Sequence, residues 1–148
     1  MKAPFLLGRL IFGGFFLYNG INHFKQRKQM AQYAGMKGVP MAEAAVVGSG
    51  LMMAVGGASV LVGVKPKLGT LAILGFLAGV SPIMHDFWKH EDPQQRQQEM
   101  INFAKNMAMA GAALALLGVE EPWEASIPIA QPKGIDRVRA IGRKLRAA

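Results

Sequence analysis

Cysteine is absent from this 148-residue chain, so disulfides, thiolate nucleophiles and Cys-ligated zinc or iron–sulfur centres are excluded from its chemistry. Charge is also sparse. Only 18% of residues are charged, and the balance is basic, with 17 Lys and Arg against 9 Asp and Glu for a net +8. Metal-ligand motifs are missing too: no HExxH or Glu-x-x-His pair occurs, and His85 and His90 are not spaced to share one helical face. No metal site is therefore expected. There is no Gly-rich dinucleotide loop and no basic patch interleaved with aromatics, so no nucleic acid is expected as a partner and lipid is the simpler destination for the positive charge.

What the chain does have is apolar length. Hydrophobic residues make up 51% and glycine contributes 18 positions; mean hydropathy is +0.22. Four apolar segments, at residues 4–22, 41–64, 68–88 and 100–119, are each near the roughly 20 residues that cross a bilayer. A soluble four-helix bundle would need a polar stripe along every helix. Residues 44–64 offer only Ser49 and Ser59, and residues 71–84 only Ser81. The expected fold is thus all-α, a four-transmembrane-helix bundle over residues 1–119 with a short interfacial connector, followed over 120–148 by a linker and a basic amphipathic tail. A cleaved signal peptide fits the N-terminus poorly, because Arg9 interrupts the apolar run and no small-x-small site follows.

The connectors carry their own signals. Residues 24–37, with Lys25, Arg27 and Lys28, read as a short surface helix broken by Gly35, Gly38 and Pro40. Glu43 falls in the next first turn, where it complements the helix dipole. Lys65-Pro66-Lys67 is a tight turn that makes the second and third spans antiparallel neighbours. Asp92-Pro93-Gln94-Gln95 is a helix start, with Asp as N-cap and Pro at the first helical position. Phe87 and Trp88 read as an interfacial anchor, as does Trp123 on the opposite side. Small residues at four-residue spacing, Gly48 and Gly56 with Met52 between them, Gly75 and Gly79, and Ala104, Ala108 and Ala112 with Leu116, predict close helix packing.

An even number of spans puts both termini on one side, together with Lys65 and Lys67. The basic tail there includes Lys133, Arg137, Arg139, Arg143, Lys144 and Arg146, with Ile135, Val138, Ile141 and Leu145 on one helical face, a pattern suited to anionic lipid or to a solvated tail. The positive-inside rule then favours cytoplasmic termini.

This threading sends most of the polar side chains within the spans to the other membrane face. They are Asn19, Asn22 and His23, then Glu43, then His85 and Asp86, then Asn102, Lys105 and Asn106. Only Arg9 lies at depth near the termini, where a structural role, bundle-facing or snorkelling, is the simplest reading. Ionisable groups inside spans are costly, usually face inward, and point to function by default. Arg9, Gly13, Phe16, Gly20 and His23 share one stripe of the first segment; Asn102, Lys105, Asn106 and Met109 share one of the fourth. Lys105 either pairs with Asp86 or Glu43 or snorkels to the surface. The residues proposed for a ligand pocket are therefore His23, Asn22, Glu43, His85, Asp86, Asn102, Lys105 and Asn106. In it His85 and Lys105 would donate to a carbonyl or anionic oxygen, Asp86 would orient or exchange a proton, the asparagines would fix geometry, and His23 would cover the mouth.

The stretches Gly8-Arg9-Leu10, Gly20-Ile21-Asn22-His23-Phe24, Tyr33-Ala34 and Lys37-Gly38-Val39-Pro40 resemble the DoxX family of bacterial four-helix membrane proteins. His85-Asp86-Phe87-Trp88 is similar to the end of that family's third helix, and Met100-Ile101-Asn102-Phe103 with Lys105-Asn106 to its last, so the resemblance runs from residue 5 to 119. It implies a multi-pass protein of the inner membrane, with some relatives associated with quinone-linked thiosulfate oxidation or with membrane complexes handling oxidative stress. Most members have no assigned reaction, so no catalytic set carries over. The expectation is a subunit linked to quinone or redox chemistry, with no intrinsic cofactor but a quinone as candidate ligand. Electron transfer would require that quinone or a redox partner protein, and homo-oligomers are open. Two other readings stand: a non-enzymatic scaffold binding partner proteins and anionic lipid, and a small-solute or proton carrier, the latter weakened by the lack of broken spans or an inverted repeat.

Overall fold

The computed structural model describes residues 3–127, and the basic tail lies outside them. Its elements are α1 (Ala3–Lys25), α2 (Arg27–Met36), α3 (Ala42–Val62), α4 (Pro66–Met84), a 3₁₀ turn (Phe87–Lys89) and α5 (Pro93–Leu117). Among the described residues there is no strand. Four helices are long and apolar enough to cross a membrane: α1, α3, α4 extended through the 3₁₀ turn, and α5. The 21 residues of α3 span about 31 Å at 1.5 Å per residue, close to the hydrocarbon thickness.

Helix ends fall where local chemistry puts them. Pro66 opens α4 directly after Lys65, which with Gly63 takes a left-handed φ to close the α3–α4 turn. Asp92 caps α5 by accepting from the Gln95 N–H at 2.8 Å, with Pro93 at the first position. The surface helix forms as α2, and Gly38 (φ +77) turns the chain back toward α3. Helix α3 starts at Ala42, two residues after Pro40, from a left-handed Met41 with no side-chain cap.

The central helix is α3, packed between α1 and α4; α5 lies against α4, and α2 rests on α3. The α1–α3 contact is backbone against backbone. A Cβ on Gly13 would sit 2.9 Å from the Gly57 carbonyl oxygen, and one on Gly20 would sit 2.7 Å from the Gly50 oxygen. These glycines repeat at seven-residue intervals on antiparallel helices, so each pair meets across the seam. In lipid, where apolar surface gains nothing by leaving the solvent, such close van der Waals approach is the main source of helix association.

The predicted small-residue rows behave differently from one another. Gly56 packs against Gly69 and Ile73, as the spacing predicts, but a Cβ on Gly48 or Gly79 would meet nothing within 4 Å. Gly75 has only the tip of Met52 nearby. Ala104, Ala108 and Ala112 are exposed on α5. Four-residue spacing reports a smooth face; it does not report whether anything fills it.

The Arg9 stripe faces inward as read, and Arg9 itself is 3% exposed. It donates to the carbonyl oxygens of Leu61 (3.1 Å), Glu124 (2.6 Å) and Ala125 (3.1 Å), joining α1 to the last turn of α3 and to the chain after α5. That segment packs back onto the bundle: the Ile127 N–H bonds to Val62 O at 2.9 Å and the Lys67 N–H to the Glu121 carboxylate at 3.2 Å. Trp123 is consequently not an interfacial anchor. It is 3% exposed in the core, edge-on to Phe5, because the loop that carries it is folded under Arg9. Trp88, by contrast, is 51% exposed and packs edge-on to Phe87 and Phe103.

Candidate functional site

At the membrane face opposite the termini, α3 and α4 leave between them a cavity of about 680 Å³, roofed by α2 and closed on one side by the end of α1. Its size falls within the range of roughly 300–1,000 Å³ typical of small-molecule sites. The lower walls are apolar, with Val46, Met52, Phe76, Val80 and Ile83 among them, and Gly48, Gly75 and Gly79 supply the room. The upper rim is polar, with His23, Gln26, Gln29, Tyr33 and Ser49.

His23 is placed by its own helix. Its Nδ1 lies 2.9 Å from the Asn19 carbonyl oxygen, which can only accept, so Nδ1 carries an N–H and, in the neutral tautomer this contact selects, Nε2 is the acceptor. The ring stands edge-on to Phe76, with centroids 6.2 Å apart. Gly50 makes this possible, since a Cβ there would lie 2.8 Å from the His23 Cβ. Ser49 donates to the Val46 carbonyl at 3.0 Å and Gln26 to the Asn22 side chain at 2.9 Å.

Beside the cavity sits an ionic cluster centred on Asp86, 6% exposed. Its carboxylate accepts from Lys37 at 2.8 Å and pairs with Lys89 at 3.1 Å, and His90 Nε2 lies 3.5 Å away. Lys37 follows the last turn of α2, so this bridge ties the roof to the end of α4. Burial alone would lower the Lys37 pKa, but the hydrogen bond to Asp86, helped by the negative charges of Asp86 and Glu99, outweighs it and raises the value above 10.5. A raised lysine pKa adds stability that is present below the unfolded value and lost as pH climbs through the folded one, so the bridge is constant across neutral pH. A double-mutant cycle of Lys37→Met and Asp86→Asn should return a coupling of about 1–3 kcal/mol in thermal or denaturant unfolding. A coupling near zero would mean that the roof is held by packing alone.

The predicted pocket residues do not converge. His23 lines the cavity. Asn22 lies at its edge, occupied with Gln26. Glu43 is exposed and pairs with Arg27 at 3.5 Å. His85 Nδ1 lies 2.8 Å from the Glu99 carboxylate, and His85 is not among the residues lining the cavity. Asp86 partners Lys37 and Lys89, not Lys105, which is exposed and has no hydrogen bond or ion pair among the described residues. Asn102 and Asn106 are half-buried on the inner stripe of α5, without side-chain hydrogen bonds and outside the cavity lining. The physical reason is that α2 carries its own lysine to Asp86, and α5 packs on α4 too far round the bundle to reach the same space.

Several important residues escaped the sequence reading. Nothing local marks Lys37 as a partner of the site, since its contact with Asp86 joins positions 49 residues apart. Glu99, in the polar early turns of α5, meets His85 across 14 positions. Gly48, Gly75 and Gly79 were noticed for their spacing, which is the right signal with the opposite consequence.

Four helices long and apolar enough to cross a bilayer, three of which (α1, α3 and α4) line the cavity with α2, define a multi-pass membrane protein. The sequence model of the DoxX family matches residues 5–86, more than half of the chain, from Phe5 in α1 through the end of α4. The chain belongs to the DoxX family. Helix α5 lies beyond the matched residues. Comparison with curated proteins and with solved structures returned no match.

Proposed function

We propose that this DoxX-family protein is a quinone-linked membrane subunit, holding a quinone head group under α2 and passing electrons through it to a partner protein. The observation that carries the reading is the pairing of an apolar cavity with a rim offering both an acceptor and donors. His23 Nε2 suits the O–H of a hydroquinone, while the Gln29 amide and the Tyr33 hydroxyl suit a quinone carbonyl, so both redox forms find partners. With no cysteine in the chain, the redox centre has to be the ligand and its partner. Residence in a bacterial inner membrane with cytoplasmic termini is part of the same proposal, supported by the family and by the basic residues on the terminal side.

The test is calorimetric titration of the purified protein in nanodiscs with a short-chain benzoquinone. Wild type should bind saturably, His23→Ala should lose at least tenfold in affinity with an unchanged circular dichroism spectrum, and Lys105→Ala should bind like wild type. Equal binding by His23→Ala, or none by wild type, would remove the quinone assignment.

A further inference from the structure

The cavity is asymmetric in a way that the head-group reading does not use. Near the turn, α3 and α4 touch: a Cβ on Gly56 would lie 2.8 Å from the Gly69 carbonyl oxygen. Toward the other face they part, and Gly48 and Gly79 have nothing within 4 Å of the space their side chains would take. Gly48, Met52, Gly75, Gly79 and Ile83 all line the cavity and are all exposed. These residues belong to membrane-spanning helices, so that exposed side opens to hydrocarbon. The water side is covered, because α2 lays Met30, Tyr33 and Ala34 over the cavity and the Lys37–Asp86 bridge fastens its end to α4.

An apolar slot continuous with a polar-rimmed chamber fits one kind of molecule, an amphipath with a compact head and a hydrocarbon tail. We infer that ligand reaches the chamber sideways from the bilayer and that a single long hydrocarbon tail lies in the slot floored by Gly48, Gly75 and Gly79. The three glycines set specificity, since any larger side chain there would occupy the space of the tail. Met52 is the movable wall. Its terminal methyl lies 3.2 Å from where a Gly75 Cβ would stand, and an unbranched thioether side chain swings aside easily. The head-group part of this picture rests on the quinone proposal; the tail and its route do not.

Three probes separate the two: a benzoquinone with a long isoprenoid tail, the same head without a tail, and a long-chain isoprenoid alcohol without the quinone. Binding to the full chain in nanodiscs would be read by native mass spectrometry and by competition. Gly79→Leu and Gly48→Leu are expected to fold normally, because both sites are empty. Both should weaken the two tailed probes at least tenfold and the tail-less head less than twofold. Gly111→Leu, also at an empty site but away from the cavity, should change nothing. Tailed probes that bind Gly79→Leu and Gly48→Leu as tightly as wild type, or that bind neither wild type nor variants, overturn the slot. Tailed alcohol binding as well as tailed quinone, with both lost in the leucine variants, keeps the slot and removes the quinone head.

Discussion

Gly20→Leu is expected to abolish the folded bundle, whereas Gly79→Leu, the same exchange on another membrane helix, should leave its melting temperature within a few degrees of wild type. At Gly20 the added carbon would collide with the backbone nitrogen of Ala54 and lie 2.7 Å from the Gly50 carbonyl oxygen. Backbone atoms in the middle of two helices cannot move aside singly. Overpacking in a core commonly costs about 1–3 kcal/mol when neighbouring side chains can adjust, and more when they cannot. Here α1 must leave α3 along its whole length, which also pulls Phe16 and Arg9 out of the core. The measurement is size-exclusion monodispersity and thermal unfolding in detergent, with Gly57→Leu as a repeat on the opposite helix, where the Cβ would meet Leu17 N and Gly13 O. A monodisperse Gly20→Leu with near-normal melting would show that the α1–α3 seam is looser than drawn.

Arg9→Leu should produce the second large effect, a loss on the order of 3 kcal/mol or more. Three carbonyl oxygens, those of Leu61, Glu124 and Ala125, accept from this one guanidinium in a site almost closed to solvent. Removing the donors leaves three part-buried acceptors without this partner, at about 1–3 kcal/mol for each that water does not reach, unless the loop opens to hydrate them. Opening is the expected response, and it has a signature. Hydrogen exchange should accelerate in residues 120–127, and Trp123 fluorescence should shift to the red as the indole leaves the core. Arg9→Lys should not rescue fully, because an ammonium lacks the planar fork that reaches three acceptors on two elements. Unchanged exchange at residues 120–127 would show that the loop is held by its own packing.

These two variants mark how differently parts of this protein can be read in advance. The inward stripe of α1, the α5 cap at Asp92 and the tight turn before Pro66 followed from spacing and local chemistry, since each depends on residues within a turn or two of one another. Lys37 and Asp86 meet across 49 positions, and Arg9 meets Glu124 across 115. Nothing in the local pattern marks either partner. Lys105 looked like the cation of the site because it lies in an apolar run; its side chain faces outward, as snorkelling requires. Glycine spacing told equally of Gly20, which is packed to backbone contact, and of Gly79, which borders open space.

Composition and hydropathy periodicity were enough to specify an all-helical membrane chain with four helices able to cross, because a bilayer imposes length and polarity on each segment independently. Which polar groups become partners, whether a smooth glycine face is filled or left as a cavity, and where the chain after α5 comes to rest depended on how the helices are arranged round α3. That arrangement is set by contacts between distant segments, and the residues making them carry no local mark of their partners.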